Sequence, residues 1–120
     1  MYCRGIRGAT TVEGNNAEAI LNATRELLDA LIAANDVHEE DVVSAIFSAT
    51  SDLDAVFPAK AARDLGWADT ALFCCQEMDV PDALPKCIRV LIHWNTPKSQ
   101  REVVHVYLHG ARILRPDREQ

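Results

Sequence analysis

Apolar residues recur at every second position along KCIRVLIHWN, residues 86–95. Ile88, Val90, Ile92 and Trp94 share one side, and Cys87, Arg89, Leu91 and His93 the other. This two-residue period predicts a strand over 87–94. Similar patterns predict strands at 2–12 (YCRGIRGATTV), 42–50 (VVSAIFSAT), 70–78 (TALFCCQEM) and 103–110 (VVHVYLHG). After the first strand, Ile20, Leu27, Leu28, Leu31 and Ile32 follow helical spacing, with Glu18, Arg25, Glu26 and Asp29 opposite. They predict a helix over 17–34, capped by Asn15 or Asn16. Pro58 and Gly66 bracket a short second helix.

The order βαβαβββ predicts an α/β (α+β) domain spanning 1–120, a mixed five-stranded sheet with its helices on one face. Two helices cannot cover both sides of such a sheet. The second face, carrying Arg7, Arg89 and Tyr107, is expected to meet a ligand or another subunit. In the fifth strand, Val104, Val106 and Leu108 are expected to join the core, with His105, Tyr107 and His109 pointing away.

Composition narrows the chemistry. The 120 residues, 48% hydrophobic, suit one domain with a real core. No apolar run approaches a membrane span, and MYCRGIRG lacks the apolar segment of a signal peptide, so a cytoplasmic location is expected. A net charge of −6 argues against nucleic acid as a partner. Yet nine of the 12 basic residues are Arg, the side chain whose planar fork grips carboxylates and phosphates. Arg89, mid-strand, must meet an anion: a carboxylate of the protein, such as Glu77 on the adjacent strand, or one that the protein binds.

Three site chemistries come into question for these residues. His105 and His109, on a strand, would stand ~13 Å apart and could not share a metal ion. Cys74 or Cys75 as a nucleophile would need a His base, and no Cys-containing signature accompanies them. An arginine-lined pocket for a small polyanion, built from Arg7, Arg89 and Arg115 with Tyr107 and Glu77, is compatible with the strand pattern. So is the bland alternative, an internal Arg89–Glu77 pair.

The blocks RGIRGATTVE (4–13), SATSDLDAVFPAKAAR (48–63), CQEMDVPDALPKCIRVL (75–91) and HVYLHGARILRPD (105–117) resemble the monofunctional chorismate mutases of the trimeric α/β class. The resemblance spans essentially the whole chain. It implies a homotrimeric pseudo-α/β-barrel with sites between subunits, rearranging chorismate to prephenate without cofactor, metal or covalent intermediate. By match, Arg89, Glu77 and Arg7 are catalytic. Arg7 and Tyr107 bind the side-chain carboxylate, while Glu77 and Cys74 contact the ring hydroxyl. Phe73, Cys74, Cys75, Gln76 and Glu77 form a wall of the site. Phe57, Ala59, Lys60 and Arg63 come from the neighbouring subunit, and Leu114 and Arg115 belong to a mobile tail, 111–120. Strict alternation sets Cys74 and Glu77 on opposite strand faces, so a bulge or a strand end is expected between them.

Overall fold

The computed structural model describes residues 1–115. The elements run β1 (Tyr2–Thr11), α1 (Ala17–Asn35), β2 (Val42–Ala49), α2 (Ala59–Asp64), β3 (Ala71–Gln76), β4 (Cys87–Thr96) and β5 (Val106–Tyr107). Short 3-10 turns at Glu39–Asp41, Gln100–Glu102 and His109–Leu114 complete the chain. The strands form one mixed sheet in the order β3-β2-β4-β1-β5. Pairing is antiparallel for β1–β4 and β2–β4, and parallel for β1–β5 and β2–β3.

Of the two expected caps for α1, Asn16 is the one used. Its side chain accepts the Ala19 N–H at 2.8 Å. Asn15 instead clasps a distant loop, accepting from the backbone N–H groups of Asp54 and Ala55. The helix ends at Asp36, which adopts the left-handed conformation with φ 54°. Leu27, Leu28 and Leu31 pack on Ile6, Ala45, Phe47, Val90 and Ile92, with Ala61, Ala62 and Trp67 from the α2 region closing the layer. The main core thus lies on one side of the sheet, as expected. At Gly8 the helix comes so near that an added Cβ would lie 2.7 Å from Leu31 Cδ1.

Two local readings need correction. First, β2 carries a register shift between Val42 and Ser44. The extra residue leaves Val43 half exposed while Val42 and Ala45 both face inward. Second, the eight-residue fifth strand is only Val106–Tyr107. Val106 and Leu108 do pack on the core, but Val104 is exposed and Val103 takes its place inside. Tyr107, expected on an open face, is 7% exposed because the turn at His109–Leu114 folds over it. It clusters there with Ala9, Cys87 and Ala111, and Leu84 and Leu114 pack against them. Of the expected mobile tail, 111–114 lie in this turn and 116–120 lie outside the described residues.

Candidate active site

The helix-free side of the sheet carries a row of directly paired positions: Cys75 on β3, Ser48 on β2, Arg89 on β4, Ala9 on β1 and Tyr107 on β5. One step along, Phe73, Ile46, Leu91 and Arg7 form the next row. Paired residues share a face, so register alone brings both arginines to one surface. Ala9, with only a methyl group, sits between Arg89 and Tyr107 and leaves space above itself. An open cleft of about 410 Å³ occupies this region, lined by Arg7, Cys75, Gln76, Glu77, Arg89, Tyr107 and Leu114 among others.

Arg89 has both of the surroundings considered for it. Its Nε lies 3.4 Å from Glu77 Oε2, yet its side chain is 48% exposed to the cleft. Glu77 stands just past the end of β3, where its N–H donates to the Ala49 carbonyl at 2.9 Å. That strand end frees Glu77 from the alternation of Phe73, Cys74 and Cys75, as expected. The Ser48 hydroxyl also donates to Glu77 Oε2. The carboxylate is therefore oriented from two sides, and the arginine with it. Sequence reading missed Ser48; its even spacing from Ser44 and Ile46 on β2 was the available signal.

Beneath Arg89, on the same strand face, Cys87 is buried. Burial pushes its thiol above the ordinary range, while the positive charge of the nearby Arg89 guanidinium pulls the other way. Cys87 therefore stays a neutral thiol packed under the guanidinium.

The other site residues named from the sequence lie apart from this cleft within the single chain. Cys74 is partly buried against the main core. With Cys75, Gln76, Phe57 and Pro58 it lines a second hollow of about 520 Å³. Ala59 is buried, at 3% exposure, and Lys60 Nζ pairs with Asp64 at 3.1 Å. Arg63 and Arg115 are exposed, and Phe73 is 65% exposed. The two histidines weighed as metal ligands are engaged separately. His105 Nδ1 accepts the Arg7 N–H at 2.9 Å, and His109 Nε2 lies 2.9 Å from Glu26 Oε1.

Residues 3–118 match the family model for chorismate mutase type I. The chain belongs to that family. It is 52% identical over 118 residues to the chorismate mutase AroH of Bacillus subtilis (strain 168), covering 98% of this chain and 93% of that protein. It is 50% identical over 117 residues to the chorismate mutase AroH of Thermus thermophilus, covering 97% and 96% respectively. A solved chorismate mutase from Clostridium thermocellum, Cth-682, superposes with a TM-score of 0.90 at 51% identity. That match covers 91% of this chain and 97% of the other. Chorismate mutase type I membership thus extends across the arginine-lined face as well as the core.

Proposed function

We propose that the chain rearranges chorismate to prephenate, and that the cleft around Arg89 is where it does so. The observation that carries this reading is the half-exposed guanidinium of Arg89, tethered on one edge by Glu77 and open to the cleft on the other. The reaction breaks an ether C–O bond as a C–C bond forms within one molecule, and it needs no proton transfer or nucleophile. What it needs is a folded substrate and a positive group facing the ether oxygen as negative charge gathers there. Holding the enolpyruvyl arm over the ring lowers the barrier by orientation. A cation fixed beforehand interacts more strongly with the transition state than with the ground state, which raises kcat.

In this reading Arg89 faces the breaking bond, and Arg7 and Tyr107 hold the side-chain carboxylate. Glu77 orients Arg89 and meets the ring hydroxyl, with Cys74 beside it. Cys75 and Gln76, with Phe73, form the wall. A cleft of about 410 Å³ suits a small diacid, within the roughly 300–1,000 Å³ common for ligand sites.

The site is completed, we propose, in a homotrimer, with Phe57, Ala59, Lys60 and Arg63 of one subunit approaching the Arg89 cleft of the next, and Leu114 and Arg115 near the mouth. The exposed aromatic faces of Phe57 and Phe73, at 70% and 65%, support such a contact. The four free cysteines, Cys3, Cys74, Cys75 and Cys87, support a reducing, cytoplasmic setting. The decisive experiment follows chorismate by ultraviolet absorbance with the purified protein in chelator-containing buffer, identifies the product, and sediments the protein. Conversion to prephenate by a trimer is expected. Chorismate bound but unchanged would replace the enzyme with a binding module.

A further inference from the structure

We propose that His105 is a positioning residue for Arg7, replacing with its side chain a backbone bond that the sheet does not make. The parallel β1–β5 ladder pairs Gly8 with Val106 and Ala9 with Tyr107, and the Leu108 N–H donates to the Ala9 carbonyl at 2.9 Å. In a regular parallel ladder the next bond would run from the Arg7 N–H to the Val104 carbonyl. Val104 is held elsewhere. The buried Asn35 side chain donates to its carbonyl at 2.9 Å and accepts its N–H at 2.9 Å, drawing the chain toward the end of α1. The strand leaves β1 early, and the imidazole of His105 takes the place given up. Its Nδ1 accepts the Arg7 N–H at 2.9 Å, and the residue is only 9% exposed.

An Nδ1 that accepts carries no proton, so the ring's hydrogen sits on Nε2. The bond fixes the backbone of a residue that lines the cleft one row from Arg89. A buried N–H without an acceptor is destabilising enough that the backbone would shift to find one. Misplacement by even ~1 Å at a substrate-gripping residue can lower kcat/KM strongly. The inference rests on reading Arg7 as a carboxylate binder.

The test compares steady-state kinetics of the full chain for wild type, His105→Leu, His105→Asn, Arg7→Ala and the Arg7→Ala/His105→Leu double variant. His105→Leu keeps bulk and loses the acceptor; kcat/KM should fall by about tenfold, the scale of one lost hydrogen bond. KM should carry more of the loss than kcat, because a carboxylate grip acts in ground and transition states alike. His105→Asn, whose Oδ1 can occupy the Nδ1 position, should restore most of it. In the Arg7→Ala background, His105→Leu should have no further effect. Equal loss in the Asn and Leu variants, or an undiminished effect without Arg7, would reduce His105 to scaffold. Hydrogen exchange at the Arg7 amide gives an independent readout: slow in wild type and fast in His105→Leu. Fast exchange in wild type would overturn the proposal. A wild type that does not convert chorismate would strike the reading of the reaction, while Arg7 exchange would still decide the role of His105.

Discussion

Glu77 Oε2 lies 3.4 Å from Arg89 Nε and also accepts the Ser48 hydroxyl, so one carboxylate oxygen joins β2 to the central arginine. With side chains 48% and 29% exposed, this pair adds little to stability, roughly 0–1 kcal/mol for a solvent-accessible bridge. In the proposed mechanism its value lies in aim. Glu77→Ala should lower kcat by on the order of tenfold to a hundredfold, less than the roughly 10²–10³ for removing a charge-stabilising donor outright, because Arg89 itself remains. The melting temperature should hardly change. A comparable loss of thermal stability would mark the pair as structural.

Arg89→Lys keeps the charge but loses the planar fork, so the tether to Glu77 and the proposed hold on the substrate cannot both be kept. A fall of about 10²–10³ in kcat is expected, that of removing a donor aimed at developing charge. Kinetics with chorismate at saturation read it directly, and near-normal turnover would remove Arg89 from the mechanism.

Cys87 gives a signature in alkali. Its folded thiol titrates above the unfolded reference of 9.0, chiefly because it is buried. Above that pH the unfolded chain releases a proton that the folded one keeps, so stability falls as pH rises toward the folded value. Urea melts from pH 8 upward should show a smaller decline in Cys87→Ala than in wild type. Thiol-reagent kinetics should find Cys87 slow beside the exposed Cys3 and Cys75.

Gly8 lies between Arg7 and Ala9, where the leucines of α1 pack directly on β1. A methyl there would stand 2.7 Å from Leu31 Cδ1 and 3.2 Å from Leu27 Cδ1. Gly8→Ala should destabilise the fold by about 1–3 kcal/mol through overpacking. Because the buried Leu31 and Leu27 side chains must shift to relieve the clash and so disturb the packing beneath β1, kcat/KM should fall too. Pairing it with Leu31→Ala should recover part of both losses, measured by denaturant melts and kinetics.

Strands β1 to β4 and helix α1 were legible because each keeps one period over most of its length. Ile88, Val90, Ile92 and Trp94 on one side of β4 left Arg89 no other face. The fifth strand misled because VVHVYLHG alternates well in isolation. What shortens it is Asn35, 69 positions from Val104, and local periodicity carries no trace of so distant a partner. VVSAIFSA likewise fits alternation in two frames, and only the bulge at Val43 reconciles them. At the site, alternation showed that Arg89 needs an anion but not which one. Phe57, Lys60 and Arg63 rest on family resemblance alone, since no spacing along one chain reveals what a neighbouring copy would meet.

The bond between Arg7 and His105 joins residues 98 positions apart. Synthesis proceeds from the first residue to the last. A growing chain on the ribosome therefore exposes Arg7 98 residues before it exposes His105. A chain that stopped before His105 would lack β5 and the acceptor that the Arg7 N–H uses. Segments made early and late in translation are thus neighbours in the folded sheet, and on the role proposed for His105 the Arg7 end of the cleft is set only once β5 has emerged.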